Sequence, residues 1–238
     1  MRMNNHKDDF SGRTPPELAI NPVHAGVELA IHEHRLPPGT RLAESDLTEI
    51  YGVSRTIVRS GLQSLAHMHL VTLRPNRGAS VAEPSHREAR EVFEARELLE
   101  PRTARNAALK ATKSDIEDLL RHTEEEHRAV REDAYGRALR LSGLFHVKIA
   151  RIADQQTITE FVESLVSRSS LIIALYWSRA SARCDGHSHH ALIEAIAKND
   201  PDQAEQIMRS HLVDIHSALR FEPANSENRN LRDMLSAS

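Results

Sequence analysis

Three histidines stand where an imidazole can bind a metal, carry a proton or simply fill a polar corner of a core. They are His189 and His211 in SHHALIEAIAKNDPDQAEQIMRSHL, and His146 in LSGLFHVKIARIA. His189 shares a helical stripe with Leu192, Ile193 and Ile196, and His211 shares one with Ala204, Ile207, Met208 and Ile215. His146 is in register with Leu139, Ser142, Ile149, Ala150 and Ala153. The turn Asn199, Asp200 and Pro201 begins ten residues after His189 and ends ten before His211. At the helical rise, both rings stand roughly 15 Å from that turn and face each other across an antiparallel pair. His190 points elsewhere, about 100° around the helix. Three inward imidazoles from three helices suit a divalent ion such as zinc or nickel. With 15 histidines in the chain, burial without chemistry remains open beside ligation. A three-His metal hydrolase is the catalytic alternative. No carboxylate is recognisably placed as its general base, and no G-x-S-x-G nucleophile motif occurs, so the chain reads as a non-enzyme.

The elements that must position these rings are helices. EPSH at 83–86 supplies a proline break and a serine cap. A helix follows from Arg87 to about Ala111, with Val92, Phe93, Arg96, Leu99 and Ala107 spaced inward and Pro101 expected to bend it. Further helical patterns span about 114–130, 133–153, 157–182, 186–198 and 201–220, with no strand pattern between them. An all-helical bundle over residues 84–222 is expected, with a tail at 223–238. Bundles build sites from side chains on facing helices. Arg96 on an inward stripe needs an anionic partner, either an effector carboxylate or an internal glutamate. In LIIALYWSRASAR, Tyr176, Trp177 and Arg179 are candidates for the same pocket, with core or dimer contact the favoured reading of Trp177. Asp185, one turn before His189, is either an outer partner of the metal or an exposed N-terminal charge.

The first half reads differently. Residues 1–16 are polar, end in two prolines and form an expected tail; 17–83 form a compact unit. Leu18, Val23, Val27, Ala30 and Ile31 give a helix, and RLPPGTRL breaks it. Glu44 to Tyr51 gives a second helix and Gly52 a turn. Ser54 caps a third helix, running to about His69, whose stripe is Ile57, Val58, Leu62 and Leu65. That leaves Arg55, Thr56, Arg59 and Gln63 outward at its N-terminal end, the positions from which a recognition helix reaches the major groove. VTLRPNRGASV then gives a β-hairpin wing with Arg74, Arg77 and Gly78 near its tip. The net charge of −3 conceals an acid-free window from Ile50 to Ala82, followed by a Glu-rich stretch from 83 to 133. One module meets phosphate and the other does not.

The stretch PPGTRLAESDLTEIYGVSRTIVRSGLQSLAHMHLVTLRPNRGASV resembles the winged-helix domain of GntR-type transcription regulators of the FadR-like subfamily, over residues 18–83. The resemblance implies DNA contact by Arg55, Arg59, Arg77 and Gly78. A further DNA-contacting arginine of some members falls at Ser45. EVFEARELLEP, LFHVKIARIA, SHHALIEAI and AEQIMRSHL resemble, in order and spacing, the FCD ligand-sensing domain, over about 86–220. That resemblance implies metal held by His146, His189 and His211, with an aspartate that here is Ser142, a weaker ligand. It also implies a small carboxylate or sugar acid bound beside the metal, with Arg96 as its clamp and Ser142 and Tyr176 nearby. The fold class is thus mostly α: a winged helix-turn-helix with a small β-hairpin wing, then an FCD-type helical bundle.

No apolar run approaches the roughly 20 residues needed to span a bilayer, and MRMNNHKDDF has no signal-peptide core. A single cysteine, Cys184, excludes an intrachain disulfide. A cytoplasmic, homodimeric repressor of operator DNA is expected, with a metal-responsive regulator as the alternative.

Overall fold

The computed structural model describes residues 21–75, 78–177 and 186–220, together with Leu235. Apart from Leu235, the expected tails lie outside the described residues, as do the readings placed on Leu18, Arg77, Arg179, Cys184 and Asp185.

α1 (Pro22–His32) starts where Asn21 accepts from the backbone N–H groups of Val23 and His24, with proline at the first helical position. α2 (Glu44–Tyr51) ends at Gly52, whose φ of 63° is the left-handed conformation that a residue with a Cβ adopts only under strain. The chain can therefore turn at once into α3 (Arg55–His67), capped by Ser54. Asn21 also donates to the Ile57 carbonyl at 2.9 Å, tying the start of α1 to α3.

The wing is larger than a hairpin. β2 (Val71–Arg74) and β3 (Gly78–Val81) pair antiparallel, and β1 (Arg41–Leu42) adds a third strand, giving the order β1-β3-β2. Because β1 is two residues long and pairs only with a distant partner, Arg41 with Ser80 and Leu42 with Ala79, periodicity could not reveal it. The helices and sheet close over Val27, Ile31, Leu47, Val58, Leu62 and Leu65, all buried. Each such side chain contributes about 1.5–3 kcal/mol.

α4 (His86–Lys110) is capped by Ser85 and runs unbroken through Pro101. α5 (Lys113–Arg131) opens with a capping box between Thr112 and Asp115. α6 (Tyr135–Ile152), α7 (Gln156–Tyr176), α8 (Gly186–Ala197) and α9 (Pro201–Ser217) complete the bundle. α4 packs against α6, α7, α8 and α9 and forms the axis on which the site is assembled. Among the described residues, no helix is long and apolar enough to cross a membrane.

Candidate functional site

The reading that three separate helices turn their imidazoles to one point is met. His146 on α6, His189 on α8 and His211 on α9 are buried. Their ring centroids lie 5.6 Å (146 to 189), 5.2 Å (146 to 211) and 5.0 Å (189 to 211) apart. One potential ligand atom from each lies within 4.8 Å of the others.

Behind two of the rings stand carboxylates that sequence reasoning missed. His146 Nδ1 lies 2.6 Å from Glu100 Oε2, and His189 Nδ1 lies 3.0 Å from Glu126 Oε2. Burial would raise the Glu100 carboxyl, but Arg96 and His146 together outweigh it and hold it at about 2. Glu100 is therefore an acceptor, His146 donates through Nδ1–H, and the Nε2 lone pair is left for the cluster. Burial, opposed in part by Glu100, lowers the His146 imidazole. Burial and then the neighbouring His146 and His189 push His211 down to about 2, so it carries no charge at neutral pH. Nε2 of His189 and Nε2 of His211 are buried with no hydrogen-bond partner. An unpaired buried polar atom costs about 1–3 kcal/mol, so these atoms lack the partner that a cation would supply. Nitrogen donors, orphaned lone pairs and carboxylates behind the rings together fit a divalent metal such as zinc or nickel.

Both carboxylates had a signal. Glu100 is four residues after Arg96 on the inward stripe of α4, and Glu126 falls between Leu119 and Ala129 on the buried stripe of α5. Arg96 is itself 2% exposed. It donates to Glu100 through Nε at 2.5 Å and Nη2 at 3.3 Å, and to Ser169 Oγ through Nη1 at 3.0 Å. The internal glutamate considered as its partner is thus present, and these bonds use three of the five guanidinium N–H groups.

The imidazoles form the floor of a cavity of about 530 Å³ that Arg96 and Ser142 also line. Ser142, Ser164, Ser167, Ser169, Ser170 and Ser188 contribute hydroxyls to a wall that is otherwise mostly apolar. Tyr176 is not among the lining residues: α7 ends there, and its hydroxyl donates to the Pro84 carbonyl at 2.6 Å. Trp177, for which the sequence left pocket lining open beside a core or dimer contact, lines the cavity, with a buried Nε1–H that has no partner.

A second face lies on the other unit. Arg55, Thr56 and Arg59 are exposed on the first turns of α3, with Arg74 and Gly78 exposed on the wing. Arg59 Nε is 3.0 Å from both carboxylate oxygens of Glu44, which hold its guanidinium ready on the surface. Ile57 departs from the expected stripe: it is 40% exposed on the same outer face, and Val58, Leu62 and Leu65 alone turn inward. α3 starts at Arg55, so the inward positions follow Val58 at 58, 62 and 65, and Ile57 leads that stripe by about 100°.

Two family descriptions match the chain: "Bacterial regulatory proteins, gntR family" over residues 21–81 and "FCD domain" over residues 91–214. The HTH-type transcriptional repressor RspR of Escherichia coli is 27% identical over 186 residues, covering 78% of this chain and 82% of that protein. The Uxu operon regulator of Haemophilus influenzae is 29% identical over 205 residues, covering 77% and 74%. A crystal structure of a transcriptional regulator GntR from Rhodococcus sp. RHA1 superposes with a TM-score of 0.72 at 23% identity, covering 82% of this chain and 94% of that one. At that identity the superposition speaks to the fold alone.

Proposed function

Since this chain belongs to the gntR family of bacterial regulatory proteins, with an FCD domain behind the winged helix, it is a DNA-binding transcription regulator; we propose that it is a homodimeric repressor that senses a small carboxylate or sugar acid at a metal held by His146, His189 and His211. The observation that carries this reading is the pair of buried, unpartnered Nε2 atoms on the floor of that cavity. An apolar core would gain stability by replacing them, so their presence supports a ligand there. A cation held by the three rings would supply the positive charge that fixes an effector carboxylate. Arg96, with N–H capacity left, meets the same carboxylate, and Glu100 keeps both Arg96 and His146 oriented toward it. Ser142, standing where an aspartate is implied by resemblance, leaves an all-imidazole ligand set with room for a carboxylate from the effector.

On the other unit, Arg55, Thr56 and Arg59 read the major groove, while Arg74, Arg77 and Gly78 meet the backbone or minor groove. Leu98 and Leu109, eleven residues apart on α4, are 77% and 57% exposed and support a contact between copies. RspR is described as a repressor and the Uxu protein as an operon regulator, which favours repression.

The test is operator affinity of the full chain as metal-free protein, with zinc or nickel, and with metal plus a panel of small carboxylates. An acid that weakens operator binding must itself bind more weakly to the operator complex, by the same factor. Equal acid affinity with and without DNA sinks the sensor. Release of operator by metal alone favours the second reading, in which the cation is the signal.

A further inference from the structure

The cavity does not end inside the bundle. Glu28, His32 and His34, from α1 and the turn after it, and Met68, just past α3, line it together with α7. One turn of α7 joins the two ends. Ser167 Oγ is 2.9 Å from His32 Nε2, and Ser170 Oγ is 3.4 Å from His34 Nε2. Between them Ser169 accepts from Arg96, whose partner Glu100 holds His146. The next residue, Leu171, is buried in the winged helix's own core. On the other side of the seam α6 leaves no slack: a Cβ on Gly136 would fall 1.9 Å from the Glu33 carbonyl oxygen.

The two ends differ in chemistry. At the floor, bare imidazole nitrogens await a cation. At the seam the charges near the histidines offset one another two against two: Glu33 accepts from both Arg35 at 3.2 Å and Arg140 at 3.1 Å, and a second carboxylate, Glu28, lines the same cavity. Burial, aided for His32 by Arg140, pushes His32 and His34 down to about 4, so both are neutral near pH 7. A neutral imidazole offers one donor and one acceptor, and a serine hydroxyl offers both. These are the partners of sugar hydroxyls and poor partners for a second carboxylate.

We propose that the winged helix supplies part of the effector site: the seam of His32, His34, Ser167 and Ser170 binds the hydroxylated tail of an acid whose carboxylate sits at the imidazole floor. This rests on the acid-sensing reading above and adds to it a direct contact between effector and DNA-binding unit. A ligand touching both units binds their relative placements unequally, which is the condition for shifting operator affinity.

The test uses the full-length chain loaded with zinc and calorimetry on matched acids: six-carbon aldonates against hexanoate. A hydroxylated acid should bind about tenfold tighter than its deoxygenated match, the size expected of one or two hydrogen bonds. S167A/S170A should erase most of that advantage while leaving hexanoate within about twofold, and H146A should weaken both classes. If the double variant melts well below the parent chain, H32Q carries the same comparison. Equal binding of matched acids by the parent chain, or a hydroxyl advantage that survives S167A/S170A, overturns the seam subsite and leaves acid sensing standing. If no acid of either class binds, acid sensing falls, and the seam subsite with it.

Discussion

The two units solve opposite problems. The winged helix closes over a core of aliphatic side chains and keeps its DNA-reading groups outside, as Arg55, Arg59 and Arg74. The bundle does the reverse: every buried polar or charged side chain among the described residues, from Arg96 to His211, belongs to α4–α9. A unit that reads a rigid duplex gains from a rigid frame with adaptable side chains on its surface. A unit that holds a polar site inside a bundle has to bury groups that would rather be in water, and it gives up stability to keep them there.

The difference can be attacked where it is greatest. Glu100→Ala leaves Arg96 buried without its carboxylate, and breaking a buried pair costs about 3–5 kcal/mol. Urea unfolding of the metal-free chain should show that loss, and R96M/E100L should recover most of it because apolar replacements carry no desolvation cost. A loss within about 0.5 kcal/mol for Glu100→Ala would mean that the buried charges are not held by one another.

On the opposite unit, Arg59→Ala should move function and leave stability alone. Operator affinity should fall by about 1–3 kcal/mol if Arg59 meets a base, while the unfolding midpoint stays put because the side chain is solvent-facing. Glu44→Ala should retain part of that affinity, since Glu44 only orients the guanidinium that it contacts at 3.0 Å. An unfolding midpoint that drops with Arg59→Ala would show the reading face to be part of the frame.

Glu126→Gln comes next in size. Partners behind a metal-bound imidazole commonly contribute 10–100-fold to affinity, so zinc binding should weaken by about 1.4–2.7 kcal/mol. Operator binding by the metal-free chain should be unchanged. Unaltered zinc affinity would remove Glu126 from the site and leave it as packing.

How much of this was legible depended on whether the signal was local. α2 and α3 were readable because Gly52 and Ser54 are local punctuation, and the histidine trio was readable because stripe and turn agreed. Glu100 and Glu126 carried only the weak signal of a place on a buried stripe, since a glutamate on a helix is almost always solvated and only an imidazole or guanidinium partner reverses that preference. β1 needed a partner about forty residues away. The end of α7 decided Tyr176 and Trp177: the helix stops at Tyr176 rather than near 182, and the change of direction sends one aromatic ring toward Pro84 and the other to the cavity.

The smallest expected effect tests a stripe position where the helical period misled. Ile57 and Val58 are neighbours with similar side chains, yet Val58 is fully buried and Ile57 is 40% exposed. Val58→Ala removes two buried methyl groups' worth of transfer free energy and should cost about 1–2 kcal/mol, more if a cavity remains. Ile57→Gln should stay within about 0.5 kcal/mol. What the frame takes from Ile57 is its carbonyl, gripped by Asn21 at 2.9 Å, and a side-chain change leaves that bond in place. Beside Arg55 and Thr56, an exposed isoleucine can still touch a thymine methyl in the groove. Operator binding measured on the same variant therefore separates the alternatives. A stability loss matching Val58→Ala would return Ile57 to the core stripe, whereas an affinity loss at unchanged stability assigns it to the reading face.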